Sequence, residues 1–303
     1  MRPHLSSAHG RSIVGAALTG LLVLGLAGPA SAEPIDDVTL SGPEGADWYP
    51  EGDYTYGTSG GPCTGVDGTT QEEGFSGADD ADNDSGSDAF DGGLYVLVNG
   101  NAFGDGIEDG QLSGQQLRVG PQRLSRVNVT VTERALQSHP TMRTLVKFKN
   151  RRNRDRVLNI NWDSGLGSDD SEETRFSSAR PRQAHTRADR WIVSSDDAVD
   201  PSDPVLVFAY SGKGAAERVV RVPFAPEDPD PASGIGAGCV AVKYRIKVPA
   251  KSTRYMLFFT DMALSNADGR NQAQKYDRAN LPNRLLTGIG PSVRRRVLNW
   301  DLG

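Results

Sequence analysis

The sequence predicts an all-β protein: an antiparallel β-sandwich of about nine strands, finished by short C-terminal helices. Three observations lead there. Apolar and polar residues alternate at period two in several stretches, the signature of a strand with one dry and one wet face. Gly, Pro, Asn and Asp punctuate those stretches at short intervals. No long amphipathic helices alternate with them, which argues against a parallel α/β arrangement.

Taken in order, residues 94–98 are almost wholly apolar and suit a strand covered on both faces. Val127, Val129 and Val131 alternate with Asn128, Thr130 and Thr132. Met142, Thr144, Val146 and Phe148 stand against Arg143, Lys147 and Lys149, so one face is expected to be wet in each. Leu158, Ile160 and Trp162 mark a fourth strand, residues 191–193 a fifth, residues 205–210 a sixth and residues 219–222 a seventh. The clearest is Val240, Val242, Tyr244, Ile246 and Val248, interleaved with Ala241, Lys243, Arg245 and Lys247; residues 255–259 complete the set. Residues 267–277 are polar and helix-compatible, Pro282 breaks that pattern, and Pro291 stands where the first turn of a further helix accepts it.

Charge divides the chain. Residues 33–117 hold 19 Asp or Glu and no Lys or Arg, whereas residues 118–303 hold 31 basic and 20 acidic residues. Before this split, residues 1–32 have the layout of a secretory signal: Arg2 and Arg11, an apolar run over residues 13–27, then Ala30-Ser31-Ala32 as a small-residue cleavage site. The expected organisation is therefore a signal over residues 1–32, an acidic, Gly- and Asp-rich leader over 33–91, and a β-sandwich over 92–303. The apolar run is shorter than the ~20 residues of a spanning helix, so the expectation is export without a membrane span. An overall acidic balance speaks against a nucleic-acid partner.

Five acids within the leader repeat the ligand spacing of a calcium loop. Asp80, Asp82, Asp84, Asp88 and Asp91 stand at its first, third, fifth, ninth and twelfth positions, with the carbonyl of Gly86 at the seventh. Calcium is a hard cation that gathers oxygens, and alternate residues of a tight turn can point at one centre. Ser85 replaces the usual glycine at the sixth position, and Asp91 is shorter than the bidentate Glu. Two readings stand: calcium, or a solvated acidic loop. Cys63 and Cys239 form an even pair with no neighbouring ligand, which in an oxidising compartment reads as a disulfide. Such a bridge across a long loop is worth at most about 4 to 5 kcal/mol. Two unpaired thiols are the alternative.

Catalytic residues are not identifiable. His139 and His185 are the histidines beyond the leader, and neither accompanies a nucleophile elbow or a second ligand. Carboxylates such as Asp163 with Asp169 or Asp170 could flank a sugar bond, but acids are too abundant for that to select a pair. Trp162 and Trp191 would stack on sugars if exposed, but each sits in a strand pattern and reads as core. The basic loop of Arg151, Arg152, Arg154 and Arg156 could meet an anionic polysaccharide, a phosphate surface or the chain's own acidic leader. Arg180, Arg182, Arg187 and Arg190 form a second cluster, and Arg294, Arg295 and Arg296 decorate the last helix.

The series Ser87-Asp88-Ala89-Phe90-Asp91-Gly92, Asn99-Gly100, Leu166-Gly167-Ser168-Asp169, Asp189-Arg190-Trp191 and Leu298-Asn299-Trp300 resembles a family of uncharacterised exported bacterial β-sandwich proteins. The resemblance implies a large β-sandwich of secreted or cell-surface proteins over residues 88–303, and brings no catalytic residue. The expectation is a secreted, non-enzymatic binding or surface-associated protein, with calcium as the candidate ion and a polysaccharide as the candidate ligand. The alternative is a carbohydrate-active hydrolase or lyase using carboxylates on a sandwich face.

Overall fold

Val240, Val242, Tyr244, Ile246 and Val248 are buried while Arg245 and Lys247 between them are exposed, so the clearest alternating stretch does form a strand with one dry face. The computed structural model describes residues 30–55, 73–87, 89–90, 92–165, 173–178, 187–195, 203–221, 224–225 and 239–303. Its strands are β1 (Ser31–Pro34), β2 (Leu40–Ser41), β3 (Asp47–Thr55), β4 (Glu73–Asp82), β5 (Tyr95–Val98) and β6 (Asn101–Ala102). Next come β7 (Asp109–Leu112), β8 (Gln116–Leu124), β9 (Val127–Leu136), β10 (Thr141–Lys149), β11 (Arg156–Gly165) and β12 (Glu173–Ser177). The last six are β13 (Trp191–Ser195), β14 (Val205–Ala209), β15 (Val219–Arg221), β16 (Phe224–Ala225), β17 (Cys239–Val248) and β18 (Thr253–Ala263). Two short helices follow, α1 (Asn266–Ala273) and α2 (Pro291–Arg294), with 3-10 turns at Gln274–Asp277 and Asn283–Leu286.

The fold is all-β and sandwich-like. A nine-stranded sheet runs β1-β7-β8-β9-β10-β18-β14-β13-β12, a second sheet runs β15-β17-β11-β5-β6 with β16 beside β17, and a third holds β2-β3-β4. Strand neighbours within these sheets are antiparallel. The two larger sheets meet through aromatic residues: Trp162 of β11 stacks on Phe258 of β18 at 4.5 Å, and Phe208 of β14 meets Trp162 edge-on at 5.9 Å. Ile35, Val38, Leu40, Trp48 and Phe75 of the acidic segment belong to this same core. The segment therefore packs on the sandwich through its few apolar side chains while its acids stay near solvent.

The opposite face of the nine-stranded sheet is covered over part of its area by the C-terminal tail. Leu257 and Phe259 of β18 pack there with Tyr276, Leu285, Leu286 and Trp300. Fully buried Asn299 fastens this layer, its amide donating to the carbonyls of Tyr210 (2.9 Å) and Leu257 (2.7 Å) while its oxygen accepts from the Leu257 amide (2.9 Å). The Trp300 indole adds a bond to the Leu257 carbonyl (2.6 Å). Helix α1 starts at Ser265, whose hydroxyl accepts from the Asp268 amide, and α2 carries Pro291 in its first turn. Among the described residues, no helix is long and apolar enough to cross a membrane.

Candidate functional site

The acids with calcium-loop spacing fall on two kinds of backbone. Asp80 and Asp82 lie in β4, where same-face residues are about 6.8 Å apart rather than wrapped around a centre. Asp84 and Gly86 lie at a tight turn closed by backbone bonds between Asn83 and Gly86 (2.9 and 3.3 Å). Asp80 accepts from the Ala81 amide (2.6 Å) and Asp82 from the Tyr49 hydroxyl (3.0 Å). Burial and the Asp82 bond push Tyr49 up to about 12. Asp88 and Asp91 lie outside the described residues, as does Cys63; Cys239 opens β17. Among the described residues, no three His, Cys, Asp or Glu converge as a metal centre would require. Asp79 instead meets Glu51: burial, then a hydrogen bond with Glu51 and the charges of Glu51, Asp80 and Asp36, pushes Asp79 up to about 7.

A different constellation lies on the open part of the outer face. Arg118, Pro121, Asn128, Thr130, Lys147 and Lys149 line a groove of about 200 Å³, with Arg151 at its end. Strand register assembles it: Thr130 of β9 stands opposite Lys147 of β10, Asn128 opposite Lys149, and Arg118 of β8 opposite Thr132. Alternation then turns these side chains away from the core that holds Val129, Val131, Val146 and Phe148. Burial, followed by the charges of Lys149, Arg118 and Arg296, holds the Lys147 ammonium below the ordinary lysine value. The ion pairs among the described residues, Arg190–Asp277, Lys247–Asp155 and Lys275–Asp261, include none of the groove's cations. Arg118 is bonded to the neutral amide of Gln111. Cations gathered without a carboxylate in the groove lining make a site for an anion, and Asn128 and Thr130 add groups suited to hydroxyls.

Two further depressions flank the C-terminal tail. One, of about 490 Å³, is lined by Phe176, Ser177, Ser178, Trp191, Arg270 and Asp277 beside Gln274. Its carboxylate is engaged by Arg190, and Arg270 lies over the Phe176 ring at 5.0 Å. The other, of about 460 Å³, lies at the β9–β10 turn and holds His139, Asp268, Lys275, Arg278 and Arg284. Beneath it, fully buried Asp261 accepts bonds from Lys275 (2.8 Å), Tyr276 (3.0 Å) and Thr141.

Of the residues singled out in the sequence, Arg151 reaches the groove, while Arg152 and Arg154 are exposed outside its lining. Trp162 and Trp191 are core residues at 1 % and 5 % exposure. Asp163 is buried; Asp169, Asp170, Arg180, Arg182 and His185 lie outside the described residues. Arg294 and Arg296 do more than decorate a helix: Arg294 donates to the carbonyls of Ile289 and Leu286, and Arg296 lies over the Tyr255 ring at 5.3 Å. Lys147 and Lys149 were visible as the wet positions of an alternating strand. Arg118 was not, because its strand was not legible.

No known family profile matches the chain, and no curated protein matches it. Among solved structures it is similar to a polysaccharide lyase, at a TM-score of 0.35 and 11 % identity over 60 % of this chain and 27 % of that one. It is also similar to a kojibiose phosphorylase from human microbiome, at a TM-score of 0.40 and 9 % identity over 81 % of this chain and 34 % of that one. The chain thus spans about a third or less of the length of these proteins.

Proposed function

We propose that this protein is an exported, non-catalytic binding β-sandwich that holds an acidic extracellular polysaccharide in the groove of Arg118, Lys147 and Lys149. The observation that carries the reading is the meeting of these cations on one sheet face with no carboxylate in the groove lining. A polysaccharide bearing repeated carboxylates or sulfates presents its charges in a row, as adjacent strands present theirs. Its hydroxyls find the Asn128 amide and the Thr130 hydroxyl. Each solvent-exposed ion pair contributes only about 0 to 1 kcal/mol, so affinity comes from several contacts made by one chain. The leading segment, residues 1–32, supports export as part of the same proposal.

The test is incubation of the purified protein with polygalacturonate, dextran sulfate and a neutral glucan, followed by measurement of retention and of released reducing ends or unsaturated products. The expected result is retention on one or both acidic polymers, none on the neutral glucan, and no product. Loss of at least tenfold in affinity is expected for the K147Q/K149Q double variant. Equal binding to the neutral glucan, or an unaffected double variant, contradicts the reading. Turnover replaces it with the carbohydrate-active alternative.

A further inference from the structure

We infer that the acidic chain crosses the strands rather than following them, leaving the groove over the β8–β9 hairpin, where Arg123 and Arg126 bind its next carboxylates or sulfates. This rests on the polysaccharide reading above and deepens it with a direction for the ligand and two further contacts. Along β10 the outer face is roofed by the C-terminal tail. Arg143 is buried and donates to the carbonyls of Leu285 (3.0 Å) and Thr287 (2.8 Å), and Leu145 packs against the apolar cluster of the tail. Tyr255, opposite Lys147 on β18, lies under the Arg296 guanidinium. A polymer seated on Lys147 and Lys149 is therefore barred from continuing toward Thr141. On the other side, Pro121, Arg123, Arg126, Lys149 and Arg151 are all exposed.

Strand register carries the cationic surface across the sheet. Arg123 of β8 stands opposite Asn128 of β9, Asn128 opposite Lys149 of β10, and Lys149 opposite Thr253 of β18. Residues directly opposite share a face, so the four form one row about 14 Å long. That face is the outer one, because Leu124, Val127, Val129 and Phe148, which alternate with the row, pack in the core. Gln122, opposite Val129, also turns from this face, and there its amide donates to the Asp105 carbonyl (3.1 Å). The row thus offers a cation, an amide, a cation and a hydroxyl, with no carboxylate among them. Beyond Arg123 the hairpin turns through Ser125 and Arg126, both at positive φ (46° and 69°), and the Asn99 amide donates to the Ser125 hydroxyl (2.8 Å). A two-residue turn of this kind normally takes glycine at its second position; here an arginine stands at the tip. Arg123 and Arg126 take no part in the ion pairs formed among the described residues, so both are left to meet an anion on the ligand.

The experiment measures binding of polygalacturonate and dextran sulfate, and of disaccharide fragments of each, to the wild type, R123Q/R126G, R278Q/R284Q and K147Q/K149Q. Glycine suits the backbone at residue 126, so R123Q/R126G should melt no lower than the wild type, and any binding it loses is a lost contact. The expected result for R123Q/R126G is a loss of at least about threefold in affinity for the polymer that the wild type retains, with disaccharide binding unchanged. R278Q/R284Q removes the same charge from beyond the tail and should bind the polymer as the wild type does. Equal losses in these two variants, which would reflect net charge alone, or an unaffected R123Q/R126G, overturn the inference and leave the groove standing. Disaccharide binding unaffected by K147Q/K149Q contradicts the groove itself.

Discussion

Glu133 shows how much one side chain can set the behaviour of this sandwich. It is fully buried on β9, the Thr144 hydroxyl donates to one of its oxygens (2.8 Å), and the other oxygen faces Gly77 of β4. Burial, opposed in part by the Thr144 bond and Arg143, pushes its carboxyl up to about 8. Because the folded value lies above the ordinary 4.5, the stabilisation is complete below about pH 4.5 and is lost as pH rises toward about 8. Each pH unit within that window costs about 1.4 kcal/mol. Urea unfolding at several pH values should show wild-type stability falling relative to E133Q from pH 5 to pH 8; parallel curves contradict this. Asp79, raised to about 7 by burial and Glu51, acts in the same direction, so E133Q flattens the profile without abolishing it. Calcium belongs to this scale as a proposal for residues 80–91. It predicts that a chelator lowers the melting temperature of the wild type and leaves the D80N/D82N/D84N variant unchanged; identical wild-type melts with and without chelator remove it.

At the scale of elements, the tail is held to the sheet by a charged group that has left water. Lys275 is 7 % exposed and its partner Asp261 is fully buried, so removing one charge strands the other. D261A should cost about 3 to 5 kcal/mol and release the near-ultraviolet signal of Trp300, whereas D261A/K275M should recover part of that loss. A D261A variant as stable as the wild type contradicts this role. The elements themselves differ in how openly the sequence announces them. All nine expected strands form, because each has an unbroken alternation or an apolar run that survives into the structure. The leader strands β3 and β4 were not legible: they are rich in Gly and Asp and pair with two register shifts, so no period persists. Strand β8 was hidden in the same way by the shift around Gly120 and Pro121, and Arg118 was hidden with it. The groove was thus half legible, as two lysines on a wet strand face. Its closure needed the pairing of three strands, which local sequence does not encode.

Across the whole molecule, the acidic leader and the body are joined by a common apolar core, and the ion pairs among the described residues include none between the two. Trp48 and Phe75 from one and Phe103, Val129 and Val131 from the other belong to a single cluster. The proposed Cys63–Cys239 disulfide would add a covalent tie; intact mass after alkylation under denaturing conditions should reveal no free thiol, and two labelled cysteines contradict it. With the leader folded against the core, the body's surplus of cations is left to display on its outer face, where long-range attraction to a polyanion weakens as salt screens it. The most direct measurement is elution of the wild type and K147Q/K149Q from an immobilised acidic polysaccharide over a salt gradient. The wild type should bind at low ionic strength and elute at a distinctly higher salt concentration than the double variant. Co-elution of the two proteins, or passage of the wild type without retention, would contradict the polysaccharide-binding groove.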